Sequence, residues 1–72
     1  MKVINRVPEL VAEKFGGADK INYTQIETET AMNYRTVTAW VKGRIERADF
    51  DVLAKWCKYL NVKVGDILVY EE

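Results

Sequence analysis

Two asparagines, Asn22 and Asn33, constrain what this chain can fold into more than any other feature. Asn22 precedes "YTQIETET" and Asn33 precedes "YRTVTAWV". Each side chain can accept from the orphan amides of a helix's first turn, so each asparagine opens a short helix. Gln25, three residues after Asn22, can return the bond as in a capping box. The helix after Asn22 runs through Thr30 and the helix after Asn33 ends near Gly43, a suitable stop. Thr30, Ala31 and Met32 alone then join them. So short a joint excludes a crossover and makes the two helices direct neighbours.

The second of these helices carries an internal conflict. Thr36, Val37 and Thr38 are consecutive β-branched residues, each disfavoured in an isolated helix by about a few tenths of a kcal/mol because branching at Cβ restricts χ1. Packing must therefore hold the segment. Val37 and Trp40, three apart, face inward, and a fully buried side chain of this size contributes about 1.5 to 3 kcal/mol, which outweighs the propensity loss. The opposite face then presents Tyr34, Arg35, Thr38, Ala39 and Lys42.

The rest of the chain reads as further short helices. In "VPELVAEKFGG", Pro8 suits the first helical position and Gly16-Gly17 the stop, while Val7, Leu10, Val11 and Phe15 recur at helical spacing. A turn follows from Ala18 to Ile21. In "ADFDVLAKWCKYLNV", Asp49 caps the start, Asn61 is a left-handed stop, and Phe50, Leu53, Trp56, Cys57 and Leu60 form the buried stripe. "VKVGDILVYEE" offers a turn of helix from Gly65 to Leu68 or a strand from Ile67 to Tyr70, and "KVINRV" at the other end can pair with it. The predicted fold is all-α: about five short helices in one domain over residues 1–72, with a short terminal β-strand pair as an option.

Composition excludes several function classes. The chain has no histidine, no serine and a single cysteine, Cys57, which removes the Ser/His/Asp and Cys/His constellations and any internal disulfide. Glu27 and Glu29 are two apart and diverge on a helix, so they do not form a paired acid and base. The reading is therefore not an enzyme, with no cofactor and no metal. Absence of a membrane-length apolar run or a signal-like start places the chain in the cytoplasm.

Net charge is zero, but it is unevenly distributed. Residues 1–32 sum to −1, residues 33–47 to +3 and residues 48–72 to −2. The positive block holds Arg35, Lys42, Arg44 and Arg47 against Glu46. It coincides with the helix after Asn33 and the segment leaving it, which fits either a solvated charged face or an electrostatic footprint for nucleic acid.

These residues resemble the Cro and phage-repressor family of helix-turn-helix regulators. The resemblance runs from about Leu10 to Leu68 and is carried by Ile26, Met32, Val37 and Trp40 as the residues locking two helices, then Gly43, then "FDVLAKWCKYLNV" and "VKVGDIL". Three positions depart from the family pattern. Ala31 stands where a glycine of positive φ is usual, at a cost of about 1 kcal/mol. Tyr23 replaces a phosphate-touching glutamine. Glu27 occupies a close helix contact normally filled by a small residue, so its carboxylate must reach solvent or pair, for instance with Arg35.

The resemblance implies sequence-specific binding to double-stranded DNA by a small transcriptional regulator, a repressor in its simplest form, with the helix after Asn33 in the major groove. Arg35 can bond guanine through two donors, Thr38 can offer a hydroxyl or a methyl, and Ala39 can pack on a thymine methyl. Asn33 either caps its helix or reads adenine, and Tyr34 stacks on sugar or bonds phosphate. Tyr23, Thr24 and Gln25 stand at the phosphate-contacting start of the preceding helix, and Lys42, Arg44 and Arg47 are expected on the DNA backbone. A single module presents little surface to DNA, so a homodimer on a two-fold site is expected, with Tyr59 or the tail from Val69 as candidate interfaces. The competing reading is a protein-interaction module, an antitoxin or adaptor, in which the scaffold serves a protein partner and binds DNA weakly or not at all.

Overall fold

The computed structural model describes residues 2–72. The chain runs β1 (Lys2–Asn5), α1 (Val7–Phe15), a 3-10 turn (Ala18–Lys20), α2 (Tyr23–Thr30), α3 (Tyr34–Val41), α4 (Phe50–Leu60), α5 (Val64–Ile67) and β2 (Leu68–Glu71). Five helices therefore form the expected α domain. The two options for the C-terminal segment are both realised in succession, as one turn of helix and then a strand. β1 and β2 pair antiparallel, with Val3 opposite Tyr70 and Asn5 opposite Leu68.

Local chemistry places each boundary. Asn22 Oδ1 accepts from the Gln25 amide at 3.0 Å, and Asn33 Oδ1 accepts from the Thr36 amide at 2.8 Å. The reciprocal half of the expected capping box is not made, because the Gln25 side chain turns along α2 and donates to Glu29 at 3.2 Å. Asp49 caps α4 by accepting from the Asp51 amide at 2.8 Å. Gly16 closes α1 at φ 83°, and Gly43, at φ 69°, lets the Arg44 amide return to the Ala39 carbonyl at 2.8 Å after α3. Ala31 and Asn61 are the two non-glycine residues at positive φ among those described, at 59° and 56°.

The core is a single cluster to which every helix contributes: Val7 and Val11 from α1, Ile26 from α2, Val37, Trp40 and Val41 from α3, Leu53 and Trp56 from α4, and Ile67 from α5, with Met32 from the joint. The two tryptophans meet with ring centroids 6.4 Å apart. Trp56 is fully buried, and its indole N–H makes no hydrogen bond with the protein.

The expected buried stripe of α4 holds only in part. Phe50, placed in the buried stripe by its spacing, is 86% exposed at the first position of α4. Cys57 and Leu60 are only half-buried. Tyr70, in the tail from Val69, is 57% exposed.

Candidate nucleic-acid interface

The joint between α2 and α3 is built by two unusual residues. Ala31 takes the left-handed conformation that the joint demands, and its amide donates back to the Glu27 carbonyl at 3.0 Å. Thr30, the one buried polar residue among those described, donates to the Ile26 carbonyl at 2.6 Å and accepts from the Met32 amide at 3.3 Å. Its hydroxyl therefore satisfies the backbone on both sides of the turn. Met32, Val37 and Trp40 then enter the core beside Ile26, with exposures of 4%, 0% and 3%. The four residues expected to lock the helix pair do so.

Burial of that face fixes what α3 presents outward. Tyr34 and Arg35 are exposed, Thr38 and Ala39 are half-buried, and Lys42 and Arg44 are exposed just past the C-terminus. Tyr34, Thr38 and Lys42 are four apart and share one side of the helix. Tyr23, half-buried at the start of α2, runs beside that row. Its ring meets Tyr34 edge-on with centroids 6.2 Å apart, and Lys42 Nζ lies 5.8 Å from the Tyr23 centroid, within cation–π range. An aromatic and cationic strip thus links α2 to α3. Thr24 and Gln25 are exposed on the first turn of α2.

Hydrogen bonds narrow what several of these groups can offer. Asn33 uses its carbonyl oxygen as the cap of α3, which leaves the amide N–H groups as its free donors. Thr38 Oγ1 donates to the Tyr34 and Arg35 carbonyls at 2.9 and 3.1 Å. Its proton is engaged, and what remains outward is a lone pair and the γ-methyl. The same bonds ease the β-branched run, since a threonine can bond the preceding turn in a helix. Arg35 has no carboxylate within ion-pair distance. Among the described residues the ion pairs are Lys2–Glu71 and Arg6–Glu9, so the Glu27–Arg35 pair is not formed and the half-buried Glu27 reaches solvent instead. A free guanidinium on the outward face is the group best able to recognise two acceptors at once. Arg47 sits apart from the strip and lines a groove with Val3, Ile45 and Leu68.

One positioning residue escaped sequence reasoning. Asn5, the last residue of β1, donates through Nδ2 to the Trp40 carbonyl at 3.0 Å, while its Oδ1 accepts from the Val7 amide at 3.0 Å. It ties the strand pair, the start of α1 and the C-terminal turn of α3 together across 35 residues of sequence. No local signal marks such a role, because it depends on where β2 holds β1.

No helix is long and apolar enough to cross a membrane, and no group of three or more metal-binding side chains occurs among the described residues. Comparison with curated proteins gives no match. The family model of the Cro/C1-type HTH DNA-binding domain matches residues 14–72, which takes in α2, α3 and everything after them. With the buried helix pair, its left-handed joint and the outward cationic strip in place, this match over most of the chain settles its membership: the protein belongs to the Cro/C1-type helix-turn-helix DNA-binding family.

Proposed function

We propose that the chain is a sequence-specific transcriptional repressor that acts as a homodimer, with α3 of each subunit in the major groove. The observation that carries the reading is the outward face of α3, where an unpaired Arg35 stands beside Thr38 and Ala39 on a helix whose other side is locked into the core. Arg35 reads guanine through O6 and N7. Thr38, with its proton engaged, accepts from an exocyclic amine or packs its methyl on thymine, and Ala39 packs on a thymine methyl. Asn33 caps α3 and turns its amide donors toward the DNA, and Tyr34 packs along the sugar-phosphate edge.

Tyr23, Thr24 and Gln25 contact phosphate from the start of α2, where the unpaired backbone amides of the first turn favour an anion. Lys42 and Arg44 contact phosphate beyond the end of α3, with Arg47 following on the same segment. One module buries about 600–1,000 Å² against DNA, so two are needed for useful specificity. Repression follows by occlusion of the bound promoter.

Selection of duplexes from a randomised library, followed by binding measurements on the enriched site, tests this reading. Arg35→Ala is expected to lose about 1–3 kcal/mol of discrimination at one base position. Arg44→Ala is expected to weaken all sequences alike and to reduce the salt slope by about 1 per subunit. A pool without enrichment, or equal loss of preference in both variants, defeats the assignment.

A further inference from the structure

Apart from the outward face of α3, positive charge gathers at a second place. A cleft of about 650 Å³ opens between the ends of α1 and α2 and the second half of α4, and Lys14, Glu29, Lys55, Lys58 and Tyr59 line it. Thr30 and Ala31 of the helix joint also line it. Its volume lies in the range of about 300–1,000 Å³ usual for small-molecule sites. None of Arg35, Thr38, Ala39 and Lys42 belongs to it, so it is separate from the strip proposed for DNA. We propose that this cleft binds a small polyanion, a compact molecule carrying two or more carboxylate or phosphate groups.

Charge sets the class of ligand. Three ammonium groups line the cleft against one carboxylate, and none of the three has an ion-pair partner among the described residues. Glu13 beside Lys14 and Asp51 one turn before Lys55 are the acidic groups nearest in sequence, and they pair with neither. Glu29 is held by neutral donors instead: its Oε1 accepts from the Tyr59 hydroxyl at 3.0 Å and from Gln25 Nε2 at 3.2 Å. The lysines therefore face one another uncompensated, a repulsion that an anion between them relieves.

Spacing favours more than one anionic group. Lys55 and Lys58 are three apart on α4, about 5–6 Å between Cβ atoms, and can share one group. Lys14 supplies a separate point from α1. Its Nζ lies 4.8 Å from the Tyr59 ring centroid, within cation–π range. Tyr59 is fixed in turn by its bond to Glu29 and by edge-on packing against the buried Trp56, with centroids 6.3 Å apart. This side of the cleft is therefore preorganised, which lowers the ordering cost of binding.

Titration of the full chain with citrate, and separately with inorganic pyrophosphate, at constant ionic strength tests the site by amide nuclear magnetic resonance. The Thr30 and Ala31 amides are expected to shift and to saturate with a Kd of about 1 mM or below. Lys58→Glu is expected to weaken binding by about tenfold or more, the worth of one charge-assisted hydrogen bond, with the rest of the amide spectrum unchanged. Lys2→Glu, the same charge change on the strand pair, is expected to bind like wild type. The absence of a saturable shift with either anion overturns the site, and so does equal weakening in both variants, which would mean that the anions follow net charge alone. Loss of duplex affinity in Lys58→Glu as large as in Arg44→Ala would assign the lysines to the DNA backbone and overturn it as well. The anion titration contains no DNA, so its result does not depend on the repressor reading.

Discussion

Replacing Ala31 by glycine is expected to stabilise this protein, against the usual direction of a core-adjacent substitution. Ala31 sits at φ 59° and ψ 23°, the left-handed region where Cβ crowds the following carbonyl at a cost of about 1–2 kcal/mol. Glycine removes that clash but gives the unfolded chain more freedom, which costs about 0.4–1 kcal/mol. Ala31 is exposed, so its methyl supports little packing that would be lost. The difference is a net gain of about 0.5–1 kcal/mol, or a rise in Tm of roughly 2–8 °C for a domain of this size. Asn61 is the internal comparison. It is also left-handed, at φ 56°, but asparagine tolerates that conformation, so Asn61→Gly gains less than Ala31→Gly. Urea unfolding followed by circular dichroism, with the m-value held constant, measures both. The reasoning is refuted if Ala31→Gly is neutral or destabilising, or if Asn61→Gly gains as much.

Asn5→Ala removes both bonds that tie β1 to α1 and α3, and a loss of about 1–3 kcal/mol is expected in the same unfolding experiment; an unchanged midpoint would show that β1 does not brace α3. Tyr59 titrates at about 12, held up first by burial of the phenol and then by its hydrogen bond to the Glu29 carboxylate and the negative charge there. A folded-state value above the unfolded one means that the native protein holds the proton more tightly. The stabilisation is therefore present below about pH 10 and lost as pH rises toward 12. Ultraviolet difference titration of wild type against Tyr59→Phe isolates this group, and Glu29→Gln should bring its midpoint down; a midpoint that stays in place would remove Glu29 as a cause.

Much of the fold is legible in local chemistry because the determinants are local. Asn22, Asn33 and Asp49 cap the amides two or three residues ahead, and Gly16 and Gly43 accept backbone conformations that few other residues tolerate. Spacing at three and four residues identified Val37 and Trp40 as the inward side of α3, and so, by elimination, its outward side. The family match then agrees with the resemblance that those positions suggest.

Tertiary structure decided what spacing leaves free. Helical periodicity assigned Phe50 to the same stripe as Leu53 and Trp56, but periodicity gives only a direction around the helix axis, not whether a neighbour covers that end of it. The same holds for Gln25, whose amide has two partners within reach and takes Glu29 one turn along instead of the cap. Thr38 looks from sequence like a free hydroxyl, yet its proton goes to two backbone carbonyls once α3 is wound. Asn5 reaches Trp40 only because the pairing of β1 with β2 carries it there. Caps, stops and faces are fixed by interactions within a few residues, so the sequence by itself determined them. Exposure of an end, choice among competing partners and contacts across the chain depend on where other elements pack, and only the assembled structure decided those.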